Sequence, residues 1–320
     1  MATFKQHTHT TNTLTEIVDG IEHTFELPHE ALTDYNDVYV KISEDGRKAV
    51  VGYLVQDDDA QSPREDDNVG TMVCWHGRYN LGDEQPKEDA GDYLMRLASE
   101  ADPSFDDKVD RIYSTPCIVS CIPDEKVAAL REKVLSKHYV ILPLYLYDHS
   151  GISMSTGSFG DPWDSGQVGF IYVSRETILK EWGNGSKILT KKLKERAIKY
   201  LEGEVETYDD YLRGNVYGVC VSRFTREGTI HSGVCSSCGH DYSAGMWSEG
   251  GICLQEDCSS LEELADAWEE VDTDACWGFI GEKWAEQELK DSMPHEDTWL
   301  NEPSVEVVPE EQSALFVEGV

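Results

Sequence analysis

Residues 139–174 constrain the fold more than any other part of the chain. They read YVILPLYLYDHSGISMSTGSFGDPWDSGQVGFIYVS. Two apolar runs of strand length, Val140–Tyr147 and Gln167–Val173, flank a loop of Gly, Ser, Asp and His. Such runs have the length and composition of buried strands.

Other segments add to this picture. Val38–Ile42 and Ala49–Val55 alternate apolar and polar residues around SEDGRK, a hairpin signal with Asp45-Gly46 at the turn. Val69–Trp75, Cys117–Ile122, Asn215–Phe224 and Cys276–Ile280 read as further strands. Helical spacing predicts helices over Ala90–Glu100, from Pro123 to about Lys137, over Glu176–Trp182, and from a Ser186 cap to about Leu212. Leu261–Glu270, capped by Ser259 or Ser260, and Lys283–Met293 complete the helices. Ser104–Lys108 reads as loop. Strands and helices mix without strict alternation, so the class is α+β, with a mixed, largely antiparallel sheet and flanking helices. The divisions expected are an N-terminal segment 1–36, a core 37–225, a cysteine-rich insertion 226–260, a further piece of core 261–293 and an acidic tail 294–320.

Charge narrows the choice of partners. The chain holds 62 Asp and Glu against 27 Lys and Arg, a net charge of -35. That field repels nucleic-acid phosphates and attracts basic surfaces, so direct nucleic-acid binding is disfavoured. The densest acidic groups are Asp57, Asp58, Asp59, Glu65, Asp66 and Asp67, then Glu262, Glu263, Glu269 and Glu270. Solubility alone, adaptation to high salt and mimicry of a polyanion all account for such a surface. The stretch QDDDAQSPREDDN reads as an exposed acidic loop. Lys187, Lys191, Lys192, Lys194, Arg196 and Lys199 form the main basic patch, on the polar face of the long helix.

The start MATFKQHTHTTN lacks the apolar core of a secretory signal. No apolar run approaches the ~20 residues needed to span a bilayer. With cysteines in metal-like spacing, the expectation is a cytoplasmic protein with no membrane partner.

Cys235-Ser-Ser-Cys238-Gly-His opens a cysteine cluster that continues to Cys253 and Cys258. Two cysteine pairs can each form one knuckle of a tetrahedral zinc site. The predicted ligands are Cys235, Cys238, Cys253 and Cys258, with His240 as substitute for Cys258. Four protein ligands close the coordination sphere, so this Zn2+ is structural and the insertion is zinc-ribbon-like. Free thiols packed near Cys220 or Cys276 are the plain alternative.

Two polar spots invite a catalytic reading. Asp148, His149, Asp161 and Asp164 flank the central loop and have the residue types of an acid–base or hydrolase site. Turn chemistry explains the same residues, because Asp and Ser cap turns and Gly admits positive φ. Cys74-Trp75-His76 with Arg78 holds the types of a nucleophile pair. The chain has no P-loop, dinucleotide fingerprint or nucleophile elbow.

The segments DNVGTMVCWHGRYNLGD, LPLYLYDHSGISMSTGSFGDPWDSGQVGFIYVSRE, YLRGNVYGV and DACWGFIG carry a family resemblance. Together they resemble uncharacterised accessory proteins of bacteriophages and other bacterial mobile elements, over residues 38–290. The cysteine-rich segment from Gly233 to Cys258 is an addition to that pattern. The resemblance assigns no catalytic residue. It implies a protein in the host cytoplasm that inhibits a host defence or DNA-binding protein, with nucleic-acid mimicry as the means. A hydrolase built on the 148–164 loop and a zinc-stabilised assembly protein that self-associates are the alternatives.

Overall fold

The computed structural model describes residues 3–5, 11–18, 21–31, 38–43, 46–115, 122–226 and 268–301. It is α+β, with antiparallel sheets and several helices. The chain forms two compact units. One is built from residues 1–58 and 216–320, the other from 59–215. The division therefore runs through the stretch 37–225.

The discontinuous unit starts with strands β1 (Thr3–Lys5), β2 (Thr11–Val18) and β3 (Ile21–Pro28). They form an antiparallel sheet in the order β1-β2-β3. This corrects the reading of 1–36 as a mere N-terminal segment. Alternation is the reason: Leu14, Phe25 and Leu27 are fully buried, and His23 lies on the same face of β3 as Phe25. Next come β4 (Tyr39–Ile42) and β5 (Lys48–Gln56). They pair as the predicted hairpin, Ile42 opposite Ala49, with Gly46 at φ 68° in its turn.

The second unit then intervenes in sequence. It contains β6 (Thr71–Cys74) and helices α1 (Ala90–Ala101), α2 (Phe105–Ser114) and α3 (Ile122–His138). These are followed by β7 (Tyr139–Asp148), β8 (Ile152–Ser155) and β9 (Ser165–Ser174). Helices α4 (Arg175–Trp182) and α5 (Lys191–Leu212) close it. The chain then returns to the first unit with β10 (Val216–Thr225), β11 (Glu269–Ile280), α6 (Glu282–Ser292) and α7 (Asp297–Asn301).

In the second unit the sheet order is β6-β9-β7-β8, antiparallel throughout. Its two faces are both covered. Met72, Cys74, Leu144, Leu146, Ile171 and Val173 pack on α5 through Ala197, Leu201, Val205 and Tyr208. The alternate residues Val73, Ile141, Phe170 and Tyr172 face α1–α3, whose core is Tyr93, Leu97, Phe105, Val134 and Leu135. A sheet buried on both sides explains why the central strands read as nearly continuous apolar runs. Gly169 lets β6 and β9 approach, since a Cβ there would lie 2.0 Å from the Val73 carbonyl oxygen.

In the first unit β11-β10-β5-β4 make a second antiparallel sheet. Alternation along β5 divides its side chains. Ala49, Val51, Tyr53 and Val55 join Leu14, Phe25 and Leu27 of the β1–β3 layer. Val50 and Leu54 face Ala285 and Leu289 of α6. Gly52 gives α6 room, because a Cβ there would meet Leu289 Cδ1 at 2.7 Å.

Several local expectations change. Ser104–Lys108 is not loop but the start of α2, anchored by the fully buried Phe105 and favoured by Asp106 and Asp107 in its first turn. The long helix is capped by Thr190, whose hydroxyl accepts from Leu193 N, and not by Ser186. Glu269 and Glu270 belong to β11 and not to a helix, because they pair with Thr225 and Phe224. The tail does not begin at Pro294: Met293 and Leu300 are buried with α6, through a short 3-10 turn and α7. Residues 116–121, 227–267 and 302–320 lie outside the described residues. With them go the predicted strand start at Cys117, the cysteine-rich insertion and the remainder of the tail.

A buried ion cluster ties β6 to α5. Arg64 lies in the acidic stretch QDDDAQSPREDDN, and its side chain is only 4% exposed. Its Nε and Nη2 donate to Asp83 at 2.9 and 2.6 Å. Nη1 donates to Glu204 at 3.0 Å and to Asn68 at 3.0 Å, and Nη2 to the Gly70 carbonyl at 2.7 Å. All five donors are used. Burial works against the charge, but the bonds to Asp83 and Glu204 outweigh it and hold the guanidinium above its ordinary pKa. Replacing Arg64 by Ala leaves Asp83 and Glu204 without their cation, an expected loss of about 3–5 kcal/mol. Urea unfolding checks this, and a loss below about 1 kcal/mol, the range of an exposed pair, would show that the cluster is not buried in this way.

Candidate functional site

The second unit opens a cleft of about 700 Å³ between the Arg64 turn, the segment Arg78–Asp83, β8 and the end of α5. Tyr208 and Tyr211 line it as stacked rings, centroids 6.0 Å apart. Tyr208 Oη accepts from Gly82 N at 3.0 Å, and burial pushes its phenol up from the ordinary value. Arg64 has no donor left for a ligand, so the cleft's available cation is Arg78, whose side chain is 70% exposed. Arg78 is paired to Asp148, which also accepts from Tyr79 Oη at 3.4 Å. The cleft is thereby linked to the central loop.

Within that loop the four predicted residues have separate tasks. Asp148 holds Arg78 and Tyr79. His149 Nδ1 lies 3.1 Å from Asp164 Oδ2, with the imidazole 64% exposed. Asp161 Oδ1 accepts from Trp163 N at 2.8 Å and Asp164 N at 3.3 Å, a turn closure. Ser150 Oγ donates to the backbone carbonyl of His149 at 2.7 Å. None of Asp148, His149, Asp161 and Asp164 lines the cleft. The His149–Asp164 contact braces the segment between β7 and β9.

The Cys74 spot separates in the same way. Cys74 points into the α5 side of the core and is fully buried. Burial first, then the Asp83 charge, push its thiol up to about 12. His76 stacks on Tyr79 at 5.0 Å and accepts through Nδ1 from Tyr79 N at 3.2 Å and Arg78 N at 3.4 Å. It caps the turn that aims Arg78. A buried neutral thiol is not a nucleophile.

The acidic candidates are mostly at the surface. Asp58, Asp59, Glu65, Asp66 and Asp67 are exposed, while Asp57 is half-buried. Glu269 and Glu270 are exposed on β11, the outer strand of its sheet, followed by Asp272 and Asp274. Arg223 donates to Asp272, Asp274 and Glu296 at 2.7, 2.7 and 2.8 Å. One guanidinium against three carboxylates leaves this edge negative. Glu262 and Glu263, like the zinc candidates Cys235, Cys238, Cys253 and Cys258 and the substitute His240, lie outside the described residues. Among the described residues no group of three or more His, Cys, Asp or Glu is placed to hold a metal ion. Among the same residues no helix is long and apolar enough to cross a membrane.

No protein-family model, curated protein or solved structure matches the chain.

Sequence reasoning missed Arg64, Asp83, Glu204 and Tyr208. One signal was present: Arg64 is the single cation in a 13-residue acidic stretch, where it had to find carboxylates. Its actual partners, 19 and 140 positions away, have no local signature. The burial of Cys74 predicts that native protein at pH 8 resists alkylation there while exposed Cys276 reacts. Peptide mass spectrometry after a timed iodoacetamide pulse reads this, and equal labelling of the two would overturn the assignment.

Proposed function

We propose that the protein is a non-enzymatic acidic inhibitor that occupies a basic nucleic-acid-binding surface of a host protein. The observation that supports it most is the edge of β11. Twelve residues of outer strand carry Glu269, Glu270, Asp272 and Asp274 in solvent. Alternate residues of a strand stand about 7 Å apart on one face. Glu270, Asp272 and Asp274 are thus held on a paired strand and not on a loop, with Arg223 countering part of the charge of Asp272 and Asp274. Like charges along this edge also discourage pairing with a second copy, which an open edge otherwise invites.

The acid-rich stretch with Asp58, Glu65, Asp66 and Asp67 supports the same reading. These four side chains form no ion pair among the described residues. Carboxylates left in water keep their field, and that field speeds encounter with a cationic groove. The central loop and Cys74 supply no competing catalytic arrangement. A defence or DNA-metabolism protein of a bacterial host is the partner class proposed, and the resemblance to accessory proteins of mobile elements agrees with it. A structural zinc in the cysteine-rich segment belongs to the same proposal as a stabiliser of the fold.

The test is capture from a bacterial lysate at low salt, followed by competition with duplex DNA. A nucleic-acid-processing protein released by DNA, with affinity falling steeply between about 50 and 200 mM salt, supports the reading. Neutralising the β11 row (E269Q, E270Q, D272N and D274N together) is expected to weaken that complex about tenfold or more. A partner held equally well at both salt concentrations, or indifferent to the four substitutions and to DNA, would overturn it.

A further inference from the structure

We infer that His23, Arg226 and Trp268 form a binding site for one small oxyanion, a carboxylate or a phosphate. The three side chains belong to the discontinuous unit. Strand pairing brings two of them together: Thr225 lies opposite Glu269, so Arg226 and Trp268 are the next residues out along the β10–β11 ladder. His23 comes from β3, on the face that packs over the same core. Its ring centroid is 5.8 Å from that of Trp268, and the Arg226 guanidinium carbon lies 5.2 Å from the indole centroid. Phe25 packs on the indole at 5.1 Å and fixes its position.

Each of the three has a buried polar atom without a hydrogen-bond partner: His23 Nδ1, Arg226 Nη1 and Trp268 Nε1. His23 is 4% exposed and Trp268 9%. Native structures rarely leave a single buried polar group unmatched, and here three collect around one indole. Trp268 Nε1 and Arg226 Nη1 can only donate, and His23 Nδ1 donates in one of its forms. The missing partner is therefore an acceptor. Hydrogen bonds of about 2.9 Å each let one oxyanion bridge groups standing about 6 Å apart.

Arg226 gives the sign of the ligand. Arg64, Arg96 and Arg223 each meet carboxylates. Their guanidinium groups are held above the ordinary value, with burial as an opposing cause in each. Arg226 goes the other way: burial holds it below the ordinary value, and no carboxylate offsets this. It forms no ion pair among the described residues. In a chain with 62 acidic residues, the half-buried Arg226 still meets no carboxylate among the described residues, and a bound anion would supply what it lacks. His23 is held below its ordinary value by burial first and by Arg226 second, the same uncompensated charge felt by a neighbour.

The experiment is an NMR titration of the full-length chain, following the indole N–H of Trp268, assigned with W268F. Sodium phosphate and sodium acetate are added in separate arms, each against sodium chloride at equal ionic strength. The expected result is a saturable shift of the Trp268 resonance beyond that caused by chloride. Saturation by phosphate alone assigns a phosphate ligand, and saturation by acetate as well assigns the broader carboxylate class. Arg226→Gln is expected to weaken binding at least tenfold. His23→Gln, which keeps a polar group at that position, is expected to weaken it less, and serves if R226Q does not fold. A Trp268 resonance that follows only ionic strength would overturn the site. So would binding that survives unchanged in R226Q, or in H23Q where R226Q does not fold.

Discussion

The guanidinium of Arg64 is the interaction on which the second unit depends. A buried charge is tolerable only when every donor is matched, and Arg64 matches five. The cluster does more than neutralise itself. Glu204 also accepts from Val69 N at 2.8 Å, and Asp83 from Met72 N at 2.7 Å. Backbone amides at the entrance to β6 are thus satisfied by side chains from α5 and from the 78–83 segment. Gly70 lets the chain pass close to α5, since a Cβ there would lie 2.4 Å from Leu201 Cδ2 and displace that side chain. The helix, the edge strand and the cleft beside them are fixed by one charge in place.

The same accounting divides the acidic residues of the chain into two populations. A minority is consumed internally: Asp83 and Glu204 by Arg64, Asp148 by Arg78, Glu296 by Arg223. These carboxylates are structural and unavailable to a partner. Others stand in water: Asp58, Glu65, Asp66 and Asp67 of the acidic stretch form no ion pair among the described residues, while on the edge of β11 Arg223 counters part of the charge of Asp272 and Asp274. A composition of 62 acids to 27 bases therefore leaves an anionic surface even after the buried guanidinium of Arg64 has its carboxylates. The surface is a consequence of surplus, and the proposed role as a decoy for a cationic groove draws on it.

The central block also shows how a loop rich in catalytic residue types can be spent on geometry. Asp148, His149, Asp161 and Asp164 lie between the end of β7 and the start of β9, where Asp148 accepts from Tyr79, Asp161 from the Trp163 amide, and Asp164 meets His149 Nδ1. Trp163 at the tip is 92% exposed and takes no part in the core. Arg78 leans across from the 78–83 segment and ties this loop to the wall of the cleft.

Local periodicity made much of the fold legible. The two-residue repeat of β5 and the continuous apolar runs of β7 and β9 named their strands, and the 3.6-residue stripe Leu201, Val205, Tyr208 named α5. These signals are local because strand and helix geometry repeat over a few residues. The sequence by itself determined the α+β class, the hairpin of β4 and β5 and the surplus of negative charge. Tertiary structure alone decided that residues 11–28 form a sheet over β5, that Glu269 and Glu270 extend a strand, and that Arg64 turns inward to Asp83 and Glu204. Each of these rests on a partner distant in the chain, and the cost of an unmatched buried group selects that partner only once packing has brought it near.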